Sequence, residues 1–171
     1  MRPTLSDVEA LRADTPGLAH RVHLNNAGAS MMPNSVIDAI KGHIDLEARI
    51  GGYEAAAEVA AEIEASYGHL ATLLGTSSDR VAMTEHATAS FTAALSSIPF
   101  ERGDVIVTTR NDYVSNQIQY LSLAHRLGVE VVRAEDAPEG GVDLHAMEEL
   151  IHKRRPRLVA LTQVPTNSGL V

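Results

Sequence analysis

The sequence predicts an α/β fold, a mainly parallel sheet with flanking helices. Three observations carry the prediction. Short apolar runs alternate with longer stretches patterned as helices, the grammar of βα units. Two of the runs are apolar on both sides, as strands covered on both faces must be. Polar loops follow the runs, and in a parallel sheet such loops gather on the rim where ligands bind.

Residues 5–14 form a short helix, with Ser6 as its cap and Asp7 and Glu9 near its positive end; Pro16-Gly17 ends it. Residues 21–24 are extended and run into the small polar loop 25–30. Pro33 and Asn34 open a second helix with Val36 or Ile37, Ile40 and Ile44 on one side. Gly51-Gly52 breaks or bends it. Tyr53, Ala56, Ala60, Ile63, Tyr67, Leu70 and Leu74 then follow spacings of three and four, one face of a long helix over 53–74 expected to pack beside the sheet. Gly75 stops it.

From Asp79 the pattern changes. Arg80–Thr84 reads as a strand. A helix from about Thr88 carries Phe91, Ala94, Leu95 and Ile98. Residues 104–109, rich in valine and isoleucine, form a strand. A helix over 114–127 closes at Gly128, and 129–134 is another strand. Asp143 caps a helix bearing Leu144, Met147, Leu150 and Ile151. After Pro156, residues 158–162 are a last apolar strand. The chain thus divides into 1–32 (a helix and a polar loop), 33–75 (helical) and 76–171 (βα units). It ends in a loop just after a buried strand, so more sheet is expected downstream.

Composition narrows the function. The 171 residues hold 14 Lys+Arg against 22 Asp+Glu, a formal charge of −8, which argues against a phosphate-backbone partner. No apolar run approaches a membrane helix, and no secretory pattern opens the chain, so a cytoplasmic location is expected. Cysteine is absent, which removes disulfides, thiolate metal sites and a thiol nucleophile from this chain. His20, His23, His43, His69, His125, His145 and His152 show no ligand spacing, and no metal is expected. The lysines are Lys41 and Lys153 alone.

Four loops could carry chemistry. In Thr84-Glu85-His86-Ala87-Thr88, unsatisfied N–H groups at a helix start suit an anion, with Thr88 adding a hydroxyl; alternatively Thr88 only caps its own helix. In Asn111-Asp112-Tyr113-Val114-Ser115-Asn116, Tyr113 offers a face to a flat ligand; alternatively it packs on a neighbouring loop, with Asp112 as the cap. Gln163, Thr166 and Asn167 offer amides and a hydroxyl to a ring edge, or form an ordinary turn with Pro165 and Gly169. The fourth loop is 25–30. The glycine fingerprint of dinucleotide sites and the Walker motif are absent, which disfavours a nucleotide-binding domain.

Together these loops resemble the N-terminal portion of class V aminotransferase-fold (fold type I) enzymes, which use pyridoxal 5′-phosphate (PLP). The group includes cysteine desulfurases, selenocysteine lyases, kynureninase and isopenicillin-N epimerase. His23-Leu24-Asn25-Asn26-Ala27-Gly28-Ala29-Ser30, followed by Pro33, resembles the family's opening. Thr84–Thr88 is similar to its Thr-Glu-Asn-Ala-Thr phosphate loop. Asp112–Asn116 resembles the segment that stacks on the pyridine. Leu161–Gly169 resembles a Thr-His-Val-Pro-Thr-x-x-Gly stretch at the ring edge. The resemblance implies that Ala87 and Thr88 bind the cofactor phosphate and that Tyr113 stacks on the ring. It puts Gln163 and Thr166 at the ring edge and Asn26, Ala27 and Gly28 on the substrate side. Gln163 stands where His is frequent, and Tyr113 where desulfurases carry a proton-handling His, which points towards epimerase-like and carbon–sulfur-lyase-like branches.

The resemblance further implies an amino-acid substrate, lyase, epimerase or transferase chemistry, and a homodimer or a complementary C-terminal chain. The family's Schiff-base lysine and its pyridine-binding aspartate lie downstream of the last motif, so no catalytic residue is expected within this chain. The alternative is a non-catalytic truncated fragment or an assembly subunit that needs a complementary chain.

Overall fold

The computed structural model describes residues 5–26, 28–165 and 168. The chain divides into two compact units, Met1–Ala82 and Met83–Val171.

The first unit is helical. Helix α1 spans Leu5–Ala13, so Ser6 lies inside it instead of capping it. A short 3-10 turn follows over Pro16–Ala19. Helix α2, Asn34–Ile50, begins where expected, with Pro33 just before it. Its first residue is held back to the end of α1: the Asn34 N–H donates to the Asp14 carbonyl at 2.8 Å, and its side-chain amide to the Asp14 carboxylate at 3.1 Å. Gly51 breaks the helix outright. Its φ of +99° with ψ of 154° lies in a region open essentially to glycine alone.

The expected single helix over 53–74 is two: α3, Gly52–Glu58, and α4, Ala60–Leu74, interrupted at Val59. The predicted apolar stripe is covered only in part. Tyr67 and Leu70 are half-buried, whereas Tyr53 is 94% exposed and Ile63 48% exposed. The most buried positions, Ala55 and Ala71, lie one position from the stripe residues Ala56 and Leu70. Periodicity therefore found the helices and placed their packed side only approximately.

The second unit holds a parallel sheet of three strands among the described residues, in the order β2-β1-β3: β1 is Val105–Thr108, β2 Glu130–Arg133 and β3 Leu158–Val159. The central strand is buried at every position, the mark of a strand covered on both faces. On one face Leu95, Ile106, Tyr120, Leu123, Val129 and Ala160 form a core; on the other, Val105, Val107, Ala134 and Met147 do. Helices α5 (Ala87–Ser96), α6 (Val114–Leu127) and α7 (Leu144–Arg154) flank the strands. Asp143 caps α7 as expected, accepting from the N–H groups of His145 and Ala146.

Two expected strands change. Arg80–Thr84 is not a strand: Ser78–Arg80 is a 3-10 turn, and 81–84 joins no ladder although Val81 is extended. The last strand is shorter than 158–162. It pairs at Leu158 and Val159, and the Ala160 N–H still reaches the Val107 carbonyl at 2.9 Å.

Candidate functional site

The carboxyl ends of β1 and β3 open on one rim because the strands are parallel. The Asp112–Asn116 loop follows β1 and Gln163 follows β3, as the sequence requires.

Helix α5 begins at Ala87. Thr88 is not its cap: His86 is, with its Nδ1 accepting the Ala89 N–H at 3.1 Å. The N–H groups of Ala87 and Thr88 donate to no described residue. The Thr88 hydroxyl lies 3.3 Å from the Ser115 hydroxyl in the first turn of α6. Two hydroxyls and two free N–H donors therefore stand together at the positive end of a helix, a donor set suited to a phosphate. The preceding loop is tied locally, since Thr84 Oγ1 donates to the His86 carbonyl and pairs with the Ser90 hydroxyl.

Tyr113 occupies the cap position of α6 with an extended backbone and stands 52% exposed. About half of its surface is thus open to a flat ligand. Asp112 is not the cap of α6, since Tyr113 holds that position and no side chain caps the helix. Its Oδ1 accepts from the Tyr113 N–H at 2.6 Å, Asn116 Nδ2 at 3.0 Å and the Thr162 hydroxyl at 2.7 Å; its Oδ2 accepts from the Tyr120 hydroxyl at 2.9 Å. Burial, reinforced by the Asp112 carboxylate, pushes the Tyr120 hydroxyl well above the ordinary tyrosine range, so it stays a donor.

Gln117 completes the loop's support. Its Nε2 donates to the Arg110 carbonyl at 3.0 Å, and its Oε1 accepts from Arg133 at 3.0 Å. Sequence reasoning missed Gln117, Tyr120 and the wider role of Asp112. The available signal was a polar and an aromatic residue at positions four and seven of a helix starting beside an acidic residue.

Gln163 is exposed and lines a cavity of about 240 Å³ with Thr109, Asn111, Thr162 and Ser168; Thr88 and Tyr113 are not among its lining residues. Asn26 and Gly28 belong to the first unit. Their loop closes on itself: the Gly28 N–H donates to Asn25 Oδ1 at 3.2 Å, and the His23 ring meets the Ala29 carbonyl at 3.0 Å. Ala27 and Thr166 lie outside the described residues. Lys41 is exposed on α2. Lys153 is exposed in the last turn of α7, before β3 begins. The same connection brings the Arg157 N–H to the carbonyl of Val105, the first residue of β1. Lys153 therefore lies towards the sheet end opposite the rim.

A family model, aminotransferase class-V, matches residues 22–171. A probable cysteine desulfurase of Xylella fastidiosa is 28% identical over 99% of this chain and 43% of its own length. The apo structure of a cysteine desulfurase from Thermococcus onnurineus superposes with a TM-score of 0.78 at 26% identity, covering 91% of this chain and 40% of the other. C-DES, solved with glycine covalently linked to its PLP cofactor, superposes with a TM-score of 0.83 at 21% identity, over 94% and 42% of the two chains. The chain thus spans about two-fifths of the length of the proteins it matches. With this match across both units, the chain belongs to the aminotransferase class-V family.

Proposed function

We propose that this chain is part of a PLP-dependent enzyme acting on an amino-acid substrate, and that it supplies the cofactor's phosphate and ring contacts but not its lysine. One observation supports this most: the free N–H groups of Ala87 and Thr88, the paired Thr88 and Ser115 hydroxyls and the open Tyr113 ring meet at the starts of two helices. PLP, when bound, supplies an electron sink for the carbanion formed from the substrate.

The residues of this chain bind and orient. Ala87 and Thr88 hold the phosphate through N–H and hydroxyl donors, helped by the positive end of α5. Tyr113 covers one face of the ring and keeps water from it. Gln163 and Thr166 serve the ring edge, and Asn26, Ala27 and Gly28 the substrate side. Neither lysine serves as the covalent anchor: Lys153 lies towards the wrong end of the sheet, and Lys41 sits on an exposed helix face. The apolar rows Val36, Ile40, Ile44 on α2 and Val114, Ile118, Leu121 on α6, each residue at least 41% exposed, support association with a second copy or a complementary chain.

Two measurements test this reading. Borohydride reduction with PLP followed by peptide mapping is expected to give no stoichiometric phosphopyridoxyl label on Lys41 or Lys153. Affinity for the cofactor, in the chain reconstituted with a segment carrying the lysine, is the second. Thr88→Ala removes a contact to a charged group worth about 1.5–3 kcal/mol, roughly tenfold or more in affinity. Tyr113→Ala costs up to about tenfold, and Tyr113→Phe keeps most of the affinity because the face does the stacking. Unchanged binding in both alanine variants would sink the assignment.

A further inference from the structure

We infer that Asp112 is a positioning residue, which sets the stacking face at Tyr113 against the loop leaving β3; the inference rests on the cofactor reading above. The half-buried carboxylate receives four donors. Two, the Tyr113 N–H and Asn116 Nδ2, belong to the start of α6. The third, the Tyr120 hydroxyl, comes from the side of α6 packed into the core, where Tyr120 is 1% exposed. The fourth, the Thr162 hydroxyl, comes from the residue just before Gln163.

The four donors divide unevenly: three converge on Oδ1, and the Tyr120 hydroxyl alone holds Oδ2. None of these is a cap bond of α6, whose cap position is Tyr113. Tyr120 anchors one oxygen, Oδ2, to the core, and Thr162 fastens the β3 exit to the other, Oδ1. The rim is thereby referenced to a rigid point, and Tyr113 and the start of the Gln163 loop cannot shift independently. Charged acceptors make such bonds shorter and stronger, which suits the 2.6 Å and 2.7 Å contacts. Burial and this carboxylate both keep the Tyr120 proton in place, so the anchor persists across the neutral range.

The test uses the 171-residue chain and pyridoxamine 5′-phosphate, a fluorescent probe that binds without a lysine. Asp112→Asn is expected to weaken the probe about tenfold, and Thr162→Val about fivefold with helicity unchanged; Thr162→Ser, which keeps the hydroxyl, stays within about twofold of the parent. In a Tyr113→Ala background Asp112→Asn is expected to add little, because it acts through that ring. Parent-like binding by Asp112→Asn and Thr162→Val, or a full Asp112→Asn effect without the Tyr113 ring, overturns the inference and leaves the cofactor reading standing. A parent chain that does not bind the probe overturns both. Tyrosine absorbance in the free protein is a separate arm: Tyr120 is expected to ionise well above the ordinary tyrosine range and to move down in Asp112→Asn. A Tyr120 titration within the ordinary range would dissolve the network itself.

Discussion

The two units of this chain are stabilised in different ways. In Met83–Val171 a strand is buried at every position between two apolar clusters, and helices α5 and α7 each carry a side-chain cap, His86 and Asp143. In Met1–Ala82 the buried apolar residues are Leu46, Ala55 and Ala71 among the described residues, and helices α2, α3 and α4 have no side-chain cap. The first unit takes its shape from local backbone preference and from breaks such as Gly51. The second takes it from a core. Helices need only local bonds, whereas a parallel strand needs a distant partner, so the unit with the sheet also has the more complete interior.

Mutations can sharpen that contrast. Ile106→Ala, at a fully buried position of β1, should cost about 2–5 kcal/mol in urea denaturation. The near-UV signal of the Phe91–Tyr120 edge-to-face pair, 6.0 Å between centroids, is expected to disappear with it. Gly51→Ala forces an L residue into a glycine-only region and should cost about 1–3 kcal/mol, read as lost far-UV helicity while the near-UV signal persists. Asp143→Ala removes two cap bonds and should cost about 1 kcal/mol. Ile63→Ala, half-exposed on α4, should stay within about 0.5 kcal/mol; a loss as large as that of Ile106→Ala would break the comparison. Alkaline titration gives a last check. A tyrosine whose folded pKa is raised contributes stability that is whole below its unfolded value of about 10 and is lost as pH climbs above it, and Tyr120→Phe should remove that dependence.

Legibility in the sequence followed the same division. Helix α6 matches the predicted 114–127, and Gly75 and Gly128 close α4 and α6, because stop signals are local. The Val-Ile run of β1 was readable because burial on both faces fills consecutive positions, Val105, Ile106 and Val107, with apolar residues. Arg80–Thr84 carries strand-forming residues but joins no ladder of the described sheet, and sequence alone does not list ladders. The side on which α3 and α4 pack was read only approximately, because the most buried positions, Ala55 and Ala71, are small. At the candidate site, the Thr84–Thr88 loop was legible as a helix start, yet its cap is His86 and not Thr88. Asp112 was read as a cap, whereas Tyr113 holds that position; the Asp112 contact with Thr162, fifty positions away, was not visible in the sequence.

The strand order β2-β1-β3 also bears on how quickly this unit can assemble. β1 meets β2 through a short crossover, while β3 joins β1 across roughly twice that length of chain, and each doubling of a closed loop adds about 0.6 kcal/mol of entropy cost. The pairing of β1, α6 and β2 is therefore the cheaper nucleus, with β3 docking afterwards onto an edge already formed. Substitutions in α6 and β2 should slow folding, whereas those at Leu158 or Val159 should mainly speed unfolding. The Thr162 hydroxyl then reaches Asp112 last, so the rim is completed only after the sheet beneath it.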